Sequence, residues 1–296
     1  MPTLVLLGAG ASHGSEPSRA HKTPPLGNDL FGALTELGGV ASRIPDDIKK
    51  VFDQGFELGM ALFNQRIDVQ LQAFHRELSS YLADFVPSPN SYYVELLRHL
   101  VGRNVIFSSL NYDMMLEEAA FMLGMRVSYG IERMPNAIRV IKPHGSINFW
   151  PDFPPDMIKN CFFSNVGSAL DAPVKPVDRL SAKYRCDVDT SLSPAISMYA
   201  KGKRVSVCPG FVQNQQVMFS TACRRASRII IVGVRVVAED SHIWEPILKS
   251  GSEVTYFGNE ADEAELRAWA DAGNRKNVNF VNGYFDKAIA SISPYI

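Results

Sequence analysis

The chain has 296 residues, of which 46% are hydrophobic and 21% charged, and its formal net charge is −1. This length suffices for one or two domains with a real core, and the near-neutral charge argues against an extended nucleic-acid-binding surface. No apolar run reaches the roughly 20 residues that span a bilayer, and the N-terminal residues lack the pattern of a signal peptide. We therefore expect a cytoplasmic protein without membrane contact or direct binding of nucleic acid.

Seven short apolar runs, each bounded by turn residues, predict β-strands. They do not alternate with polar residues and are rich in valine and isoleucine, which is typical of strands buried on both faces of a parallel sheet. Helical patterns lie between several of them, so the order predicts an α/β protein with a Rossmann-like, doubly wound parallel sheet. The predicted strands are Leu4–Leu7, Val105–Phe107, Ile138–Ile141, Val205–Val207, Ile229–Val232, Val254–Phe257 and Val278–Val281.

Helical spacing of apolar residues is clear in three segments, namely Ile67–Leu82, Tyr112–Leu123 and Ala261–Ala272. In the second segment, the spacing places Met115, Ala119 and Met122 on one face, which is predicted to be buried, and turns Glu117 and Glu118 away from it. The third segment begins with acidic residues and is followed by a glycine, as helices often are.

Two regions interrupt the alternation of strands and helices. Residues 38–100 contain no convincing strand and are predicted to form a helical insertion. Residues 150–200 are rich in proline and aspartate and are predicted to form a small irregular lobe over the carboxyl edge of the sheet. We treat residues 1–296 as a single nucleotide-binding domain that carries these two additions.

The four cysteines do not form the short C-x2–4-C pairs of structural zinc sites, so we expect no zinc site and no other metal. Disulfides are not expected in a reducing cytoplasm, so we interpret the cysteines as ordinary core or surface residues. They are Cys161, Cys186, Cys208 and Cys223.

A glycine-rich loop, GAGAS at residues 8–12, follows the first predicted strand. Glycines allow backbone to approach a phosphate closely, and a following helix N-terminus supplies N–H donors, so this loop is predicted to bind a pyrophosphate. The third glycine of the dehydrogenase fingerprint is replaced by His13, and no second strand with a terminal acid follows at the expected distance. A redox coenzyme is therefore disfavoured. The predicted ligands of the pyrophosphate are Gly8, Ala9, Gly10 and Ser12.

Polar residues also follow the next two strands, at the edge where a doubly wound sheet binds its ligands. Ser109, Asn111 and Asp113 come after the second strand, and His144 comes after the third. Asn111 and Asp113 are also good helix caps, and His144 is also compatible with a hydrogen-bonded turn. Their joint occurrence beside a nucleotide loop favours a catalytic site over these alternatives.

Two of the later predicted strands, Ile229–Val232 and Val254–Phe257, are followed by Gly233 with Arg235 and by Asn259, respectively. These residues are candidates for the adenosine half of a dinucleotide. Ordinary strand-to-helix turns explain them equally well.

The ordered motifs resemble the sirtuin-like family of NAD-consuming proteins over roughly residues 3–260. The matching motifs are GAGAS at 8–12, the N-x-D of Asn111 and Asp113, the H-G at His144 and the V-G at Gly233. The forms FSSLNYDMMLEE and IIIVGVRVVAEDSHI are most similar to bacterial members, many of which are NAD-hydrolysing modules of antiphage defence.

The resemblance implies that NAD is a substrate and that no metal takes part. Asn111 would position water and hold ribose hydroxyls, His144 would act as general base, and Asp113 would accept a hydrogen bond from the nicotinamide carboxamide.

Further cofactor contacts follow from the same resemblance. Asn28 and Asp29 would lie in the cofactor loop, and Asn259 matches a ribose-contacting position. Three departures stand out. The paired zinc knuckles are missing, the loop reads PPLGNDLF instead of carrying an aspartate–phenylalanine–arginine–glycine motif, and Arg235 replaces an expected serine.

Three other functions remain open from the sequence. One is an NAD-dependent protein deacylase, which the missing knuckles disfavour. Another is a module that senses NAD or ADP-ribose without turnover, and the last is a redox enzyme. For a hydrolase, the resemblance implies restraint of activity by homo-oligomerisation or by a separately encoded partner, with the 38–100 region as the candidate contact surface.

Overall fold

The computed structural model describes residues 1–18, 20–66, 70–100, 102–153, 169–197, 205–237 and 240–292. Cys161 and parts of the predicted 150–200 lobe lie outside these ranges, as do residues 67–69 at the start of one predicted helix. Within them, no helix combines the length and the apolar character needed to cross a membrane.

The strands form one seven-stranded parallel sheet and one small antiparallel pair. In chain order they are β1 (Thr3–Leu7), β2 (Val105–Ser109), β3 (Arg126–Ser128), β4 (Ala137–Ile141), β5 (Phe149–Pro151), β6 (Val174–Pro176), β7 (Arg228–Val232), β8 (Glu253–Gly258) and β9 (Val278–Asn282). The large sheet has the order β3-β4-β2-β1-β7-β8-β9, and β5 pairs with β6.

The helices surround the large sheet. They are α1 (Ala9–His13), α2 (Gly27–Glu36), α3 (Asp46–Phe52), α4 (Phe56–Arg66), α5 (Leu71–Leu82), α6 (Tyr92–Leu100), α7 (Met115–Met122), α8 (Arg179–Val188), α9 (Pro209–Arg225), α10 (Ser241–Lys249), α11 (Glu260–Ala272) and α12 (Phe285–Ile292), with a short 3₁₀ helix at Ala41–Arg43.

Successive residues of β1 point into two different hydrophobic cores. Val5 and Leu7 pack with α2 to α7 and α12 on one face of the sheet. Leu4 and Leu6 pack with α9, α10 and α11 on the other face. Because both faces are covered, apolar residues predominate on both faces of the central strands, and the predicted Rossmann-like, doubly wound α/β fold is confirmed.

Six of the predicted strands are confirmed to within two residues at each end, but the seventh is wrong. In the segment Val205–Val207, only Val207 forms an isolated bridge, to Leu170, and it packs in a small separate core. β3 was missed because it is short and half-exposed. β5 was predicted as irregular structure, but fully buried Trp150 anchors it through an indole hydrogen bond to the Ile147 carbonyl.

The helical predictions need two corrections at α7. The helix begins at Met115 rather than Tyr112, since Asp113 Oδ1 accepts a hydrogen bond from the Met115 N–H at 3.0 Å. The predicted buried face is confirmed at Met115 and Ala119, but it is wrong at Met122, which is 47% exposed, and Glu117 is fully buried.

Two other helical predictions agree with the structure. Region 38–100 is helical, and its described part contains no strand. The predicted helix at Ala261–Ala272 is confirmed as α11, beginning one residue earlier.

β1 is the central strand, with β2 on one side and β7 on the other. The order in which successive strands are added to the sheet reverses at this strand. The loops after β1 and β7 touch here mainly through backbone, and the Val234 side chain packs against Gly8. Gly8 N–H donates to the Val232 carbonyl and Gly10 N–H to the Gly233 carbonyl, both at 3.0 Å. A Cβ on Gly233, whose φ is +62°, would lie 2.2 Å from the backbone nitrogen of Ala11. This switch point of the sheet therefore requires glycine.

We expect Gly233→Ala to lower the free energy of unfolding by about 3 kcal/mol or more, because it adds a backbone clash to left-handed strain. Gly124→Ala is the matched control, since Gly124 also has a positive φ (+69°) but its Cβ would meet no atom within 4 Å. That variant should cost only about 1 kcal/mol. Urea unfolding measures both, and equal losses would contradict the close approach.

Candidate functional site

Hydrogen bonds join the loops that follow β1, β2 and β4 at the carboxyl edge of the sheet. Leu110 N–H donates to the Leu7 carbonyl at 2.9 Å, and Ile147 N–H donates to the Tyr112 carbonyl at 3.0 Å. The strands are parallel, so their carboxyl ends meet here and bring together side chains that are far apart in sequence.

Asn111 is held by the glycine loop. Its Nδ2 donates to the Gly8 carbonyl at 2.8 Å and to Ser12 Oγ at 2.9 Å. Its backbone N–H donates to Ser109 Oγ at 3.2 Å. A carbonyl can only accept, so the nitrogen of the carboxamide must face Gly8. The carboxamide oxygen Oδ1 is therefore the atom of Asn111 that can accept a hydrogen bond from a ligand.

Ser12 links Asn111 to Tyr93, which was not among the predicted site residues. Ser12 Oγ lies 2.9 Å from the hydroxyl of Tyr93, which comes from α6. Burial, followed by the nearby Asp113 carboxylate, raises the pKa of Tyr93 well above its ordinary value, so its phenol stays neutral. Tyr93 was missed because it belongs to the helical insertion, whose pattern predicts only packing.

Asp113 is buried beside a lysine–glutamate pair. Burial raises the pKa of Asp113, while the positive charge of Lys142 acts in the opposite direction. Lys142 is completely buried, lies 3.1 Å from Glu117 Oε1, and donates to the backbone carbonyl of Asp113. The pair thus fixes the loop after β2 against the end of β4. A lysine that directly follows a buried strand was the sequence signal for this contact.

His144 lies in a tight turn after β4. The next residue, Gly145, has a φ of +81°, and a Cβ there would lie 2.0 Å from the Ala195 carbonyl oxygen. The His144 carbonyl accepts a hydrogen bond from Ser197 N–H at 2.8 Å. The imidazole is thereby held at the sheet edge while remaining slightly accessible.

Two residues near the start of α10 approach the His144 side chain. His144 Nε2 lies 2.9 Å from His242 Nε2, and Asp240 Oδ1 lies 3.9 Å from His144 Nε2 and from His242 Nδ1. Neither Asp240 nor His242 was among the predicted site residues. Their position in the segment that follows β7 toward α10 was the signal that could have found them.

Two of the predicted adenosine contacts have other partners in this structure. Arg235 pairs with Glu265 on α11, Nη2 to Oε1 at 2.7 Å, and its side chain is 74% exposed. Asn259 caps α11, because its Oδ1 accepts from the Ala261 N–H at 2.8 Å within a capping box. The alternative of strand-to-helix turn chemistry is confirmed for Asn259, and its contact with ribose stays a prediction.

The PPLGNDLF loop lies beside the glycine loop, since His13 Nδ1 is 3.1 Å from the Pro24 carbonyl oxygen. Asn28 is the second residue of α2, and Asp29 is exposed in the first turn of that helix. Their contact with a cofactor stays a prediction.

The glycine loop offers fewer phosphate donors than its sequence suggests. The N–H of Gly10 is used by the Gly233 carbonyl, and the N–H of Ala11 is used by the Gly8 carbonyl. Ala9 is the first residue of α1, so its N–H points out of the helix end. The glycines are thus explained by close packing of backbone, and phosphate binding by this loop stays a prediction.

Three of the cysteines lie in three different hydrophobic cores, on the second face of the sheet and in two smaller clusters. Burial raises the pKa of Cys186 and Cys223 to about 12 and that of Cys208 to about 11. These thiols are therefore protonated at neutral pH, and the interpretation as core residues is confirmed for them. Cys161 lies outside the described residues.

A surface cavity of about 420 Å³ lies away from the sheet edge, in the helical region. Glu77, which lines it, accepts hydrogen bonds from the N–H groups of Val40 and Ala41. This carboxylate therefore holds a local turn, and none of the predicted site residues lines the cavity.

Comparisons with known proteins leave this site without an assigned chemistry. No protein-family model matches the sequence, and no curated protein matches it. Among solved structures, the chain is similar to phosphoglycerate kinase from Coxiella burnetii at 9% identity and a TM-score of 0.29. The match covers 97% of this chain and half the length of that kinase. A similarity this low carries no argument about function.

We expect the stability that Asp113 contributes to fall as the pH rises. Burial raises the pKa of Asp113 in the folded state, so the folded protein favours the protonated carboxyl group. This contribution to stability is therefore complete below the unfolded-state pKa of about 3.9, and it is lost as the pH rises through the higher folded-state pKa. Asp113→Asn keeps an acceptor for the Met115 N–H and does not titrate.

Urea unfolding of both proteins between pH 4 and 7 measures the effect. Wild type should lose stability relative to Asp113→Asn as the pH rises. Asp46→Asn, at a carboxylate that is 91% exposed, is the matched control. A wild type that instead gains stability relative to Asp113→Asn would show that the carboxylate form is favoured.

Proposed function

We propose that this protein hydrolyses NAD at the nicotinamide–ribose bond and releases nicotinamide and ADP-ribose. The observation that carries the proposal is the anchoring of the Asn111 Nδ2 by Gly8 and Ser12, which identifies Oδ1 as the atom that can accept a hydrogen bond from a ligand. The resemblance of the ordered motifs to sirtuin-like NAD-consuming proteins adds the identity of the substrate.

The reaction mainly requires the protein to position NAD and a water molecule and to supply a general base. When the bond between C1′ and the pyridinium nitrogen breaks, its electron pair passes to that nitrogen, and neutral nicotinamide leaves an oxocarbenium-like ribose. The oxygen of a water molecule then attacks C1′ and loses a proton. In this proposal, Asn111 Oδ1 accepts a hydrogen bond from that water or from a ribose hydroxyl, and His144 takes the proton.

Asp113 would serve this reaction in two ways. Its Oδ1 accepts a hydrogen bond from the Met115 N–H at the start of α7, and Ser12, which holds Asn111, lowers the pKa of Asp113. The proposal keeps Asp113 as the acceptor for the carboxamide N–H of nicotinamide, through the oxygen that does not accept from Met115. Lys142 holds the backbone of this loop and belongs to the positioning of the site.

We expect Asn111→Ala and His144→Ala each to lower NAD cleavage by about 10²-fold or more, the range found when a positioned base or acceptor is removed. Chromatography of NAD incubated with purified protein measures nicotinamide and ADP-ribose. Exposed Asn90 and His99 give the controls Asn90→Ala and His99→Ala, which should retain wild-type rates.

Full cleavage by both site variants would contradict the assignment. Nicotinamide release that requires an acyl-lysine peptide would identify a deacylase instead. Tight NAD binding without release over hours would identify a sensing module, and a change in absorbance at 340 nm with a second substrate would identify a redox enzyme.

We also propose that the activity is gated, as the resemblance to antiphage-defence hydrolases implies. Unrestrained NAD loss is lethal to a cell, so the active form should be a homo-oligomer or a complex with a separately encoded partner. Exposed Leu37 and Leu58, at 55% and 57%, are candidates for such a contact in the helical region. Light scattering combined with the NAD assay tests this, and a fully active monomer would contradict it.

A further inference from the structure

We propose that His144, Asp240 and His242 form a binding site for one divalent transition-metal ion, with Zn²⁺ as the reference ion. These residues come from two separate segments, the turn after β4 and the start of α10. One ligand atom from each residue lies within 4.8 Å of the other two. Tertiary folding thus brings together two imidazole nitrogens and a carboxylate oxygen, which is a recognised donor set for such ions.

The spacing of these atoms is compatible with one shared ion, although the two imidazoles are also close enough to share a hydrogen bond. Two ligands at about 2.1 Å from one ion lie roughly 3 to 4 Å apart. The Nε2 atoms of His144 and His242 are 2.9 Å apart, and Asp240 Oδ1 is 3.9 Å from His144 Nε2 and from Nδ1, the other ring nitrogen, of His242. The second distance is too long for a hydrogen bond but lies within the span of two ligands of one ion.

Charge and exposure favour the same conclusion. Asp240 contributes a carboxylate beside the two imidazoles, and Lys142, two residues before His144, is directed toward Glu117. The side chains of His144, Asp240 and His242 are 10%, 13% and 23% exposed. An ion here would lie in a partly dehydrated environment and still have one open side for water or a small ligand.

The donor set also selects among ions. Two imidazoles with one carboxylate suit Zn²⁺, Co²⁺, Ni²⁺ or Fe²⁺, whereas Mg²⁺ and Ca²⁺ prefer oxygen ligands throughout. The cysteine spacing that led us to expect no metal could not find this group, because the group contains no cysteine.

One consequence rests on the proposed function. The Nε2 lone pair of His144 cannot bind an ion and accept a proton at the same time, so Zn²⁺ should inhibit NAD cleavage. The site would then act as a metal-dependent brake on the general base. The binding site itself does not depend on this consequence, because it is defined by the three side chains alone.

The test measures metal binding directly, in the absence of NAD. Tag-free full-length protein is treated with a chelator, freed of it, and titrated with Zn²⁺ by calorimetry and with Co²⁺ by visible absorption. We expect one ion per chain with micromolar or tighter affinity. His242→Ala and Asp240→Ala should each weaken this binding at least tenfold, while His99→Ala, at an exposed histidine on α6, should bind as wild type does.

Thermal unfolding provides a second readout and checks the fold of each variant. Saturating Zn²⁺ should raise the Tm of wild type and of His99→Ala but not that of His242→Ala. Repeating the titration in Asn111→Ala separates the two proposals, because this variant should lack NAD cleavage and still bind the ion. Equal Zn²⁺ stoichiometry and affinity in wild type and His242→Ala would overturn the metal site and identify the histidine pair as a simple hydrogen bond.

Discussion

The contact between the loops after β1 and β7 determines how the rest of the sheet edge is arranged. Backbone meets backbone there, with Gly8 and Gly10 packed against Gly233 and no side chain between them. This approach brings the first turn of α1 close to β7 at the switch point of the sheet, where doubly wound proteins bind their ligands. It also brings the Gly8 carbonyl to the position where Asn111 uses it. The glycines therefore act on the site through packing.

Around this contact, buried polar side chains are joined to one another by hydrogen bonds and by an ion pair. Ser12 connects Asn111 with Tyr93, and buried Lys142 connects Glu117 with the backbone of Asp113. Transferring such groups from water is costly, and a buried ion pair stabilises little beyond offsetting its own desolvation. Their combined effect is to fix the orientation of the Asn111 carboxamide, which is what a reaction that relies on position requires.

The imidazole of His144 is shared between two uses that are chemically exclusive. Facing a ribose, its lone pair would accept a proton, whereas facing His242 and Asp240 it would bind an ion. In this structure, Asp240 and His242 at the start of α10 are the groups that approach the His144 imidazole.

Local pattern was enough to predict the α/β class, six of the strands, and the gathering of Asn111, Asp113 and His144 at one edge, since buried strands and strand-end polar residues are visible in the sequence itself. Local pattern did not predict structure correctly where a contact with a residue distant in sequence determines burial or pairing. Glu117 is buried only because Lys142 meets it, and β5 forms because Trp150 is enclosed. Phosphate binding by the glycine loop stays a prediction, but the sequence could not show that the Gly233 carbonyl already occupies one of the loop's N–H donors. Contacts between distant segments are fixed by packing in three dimensions, and only the tertiary structure decides them.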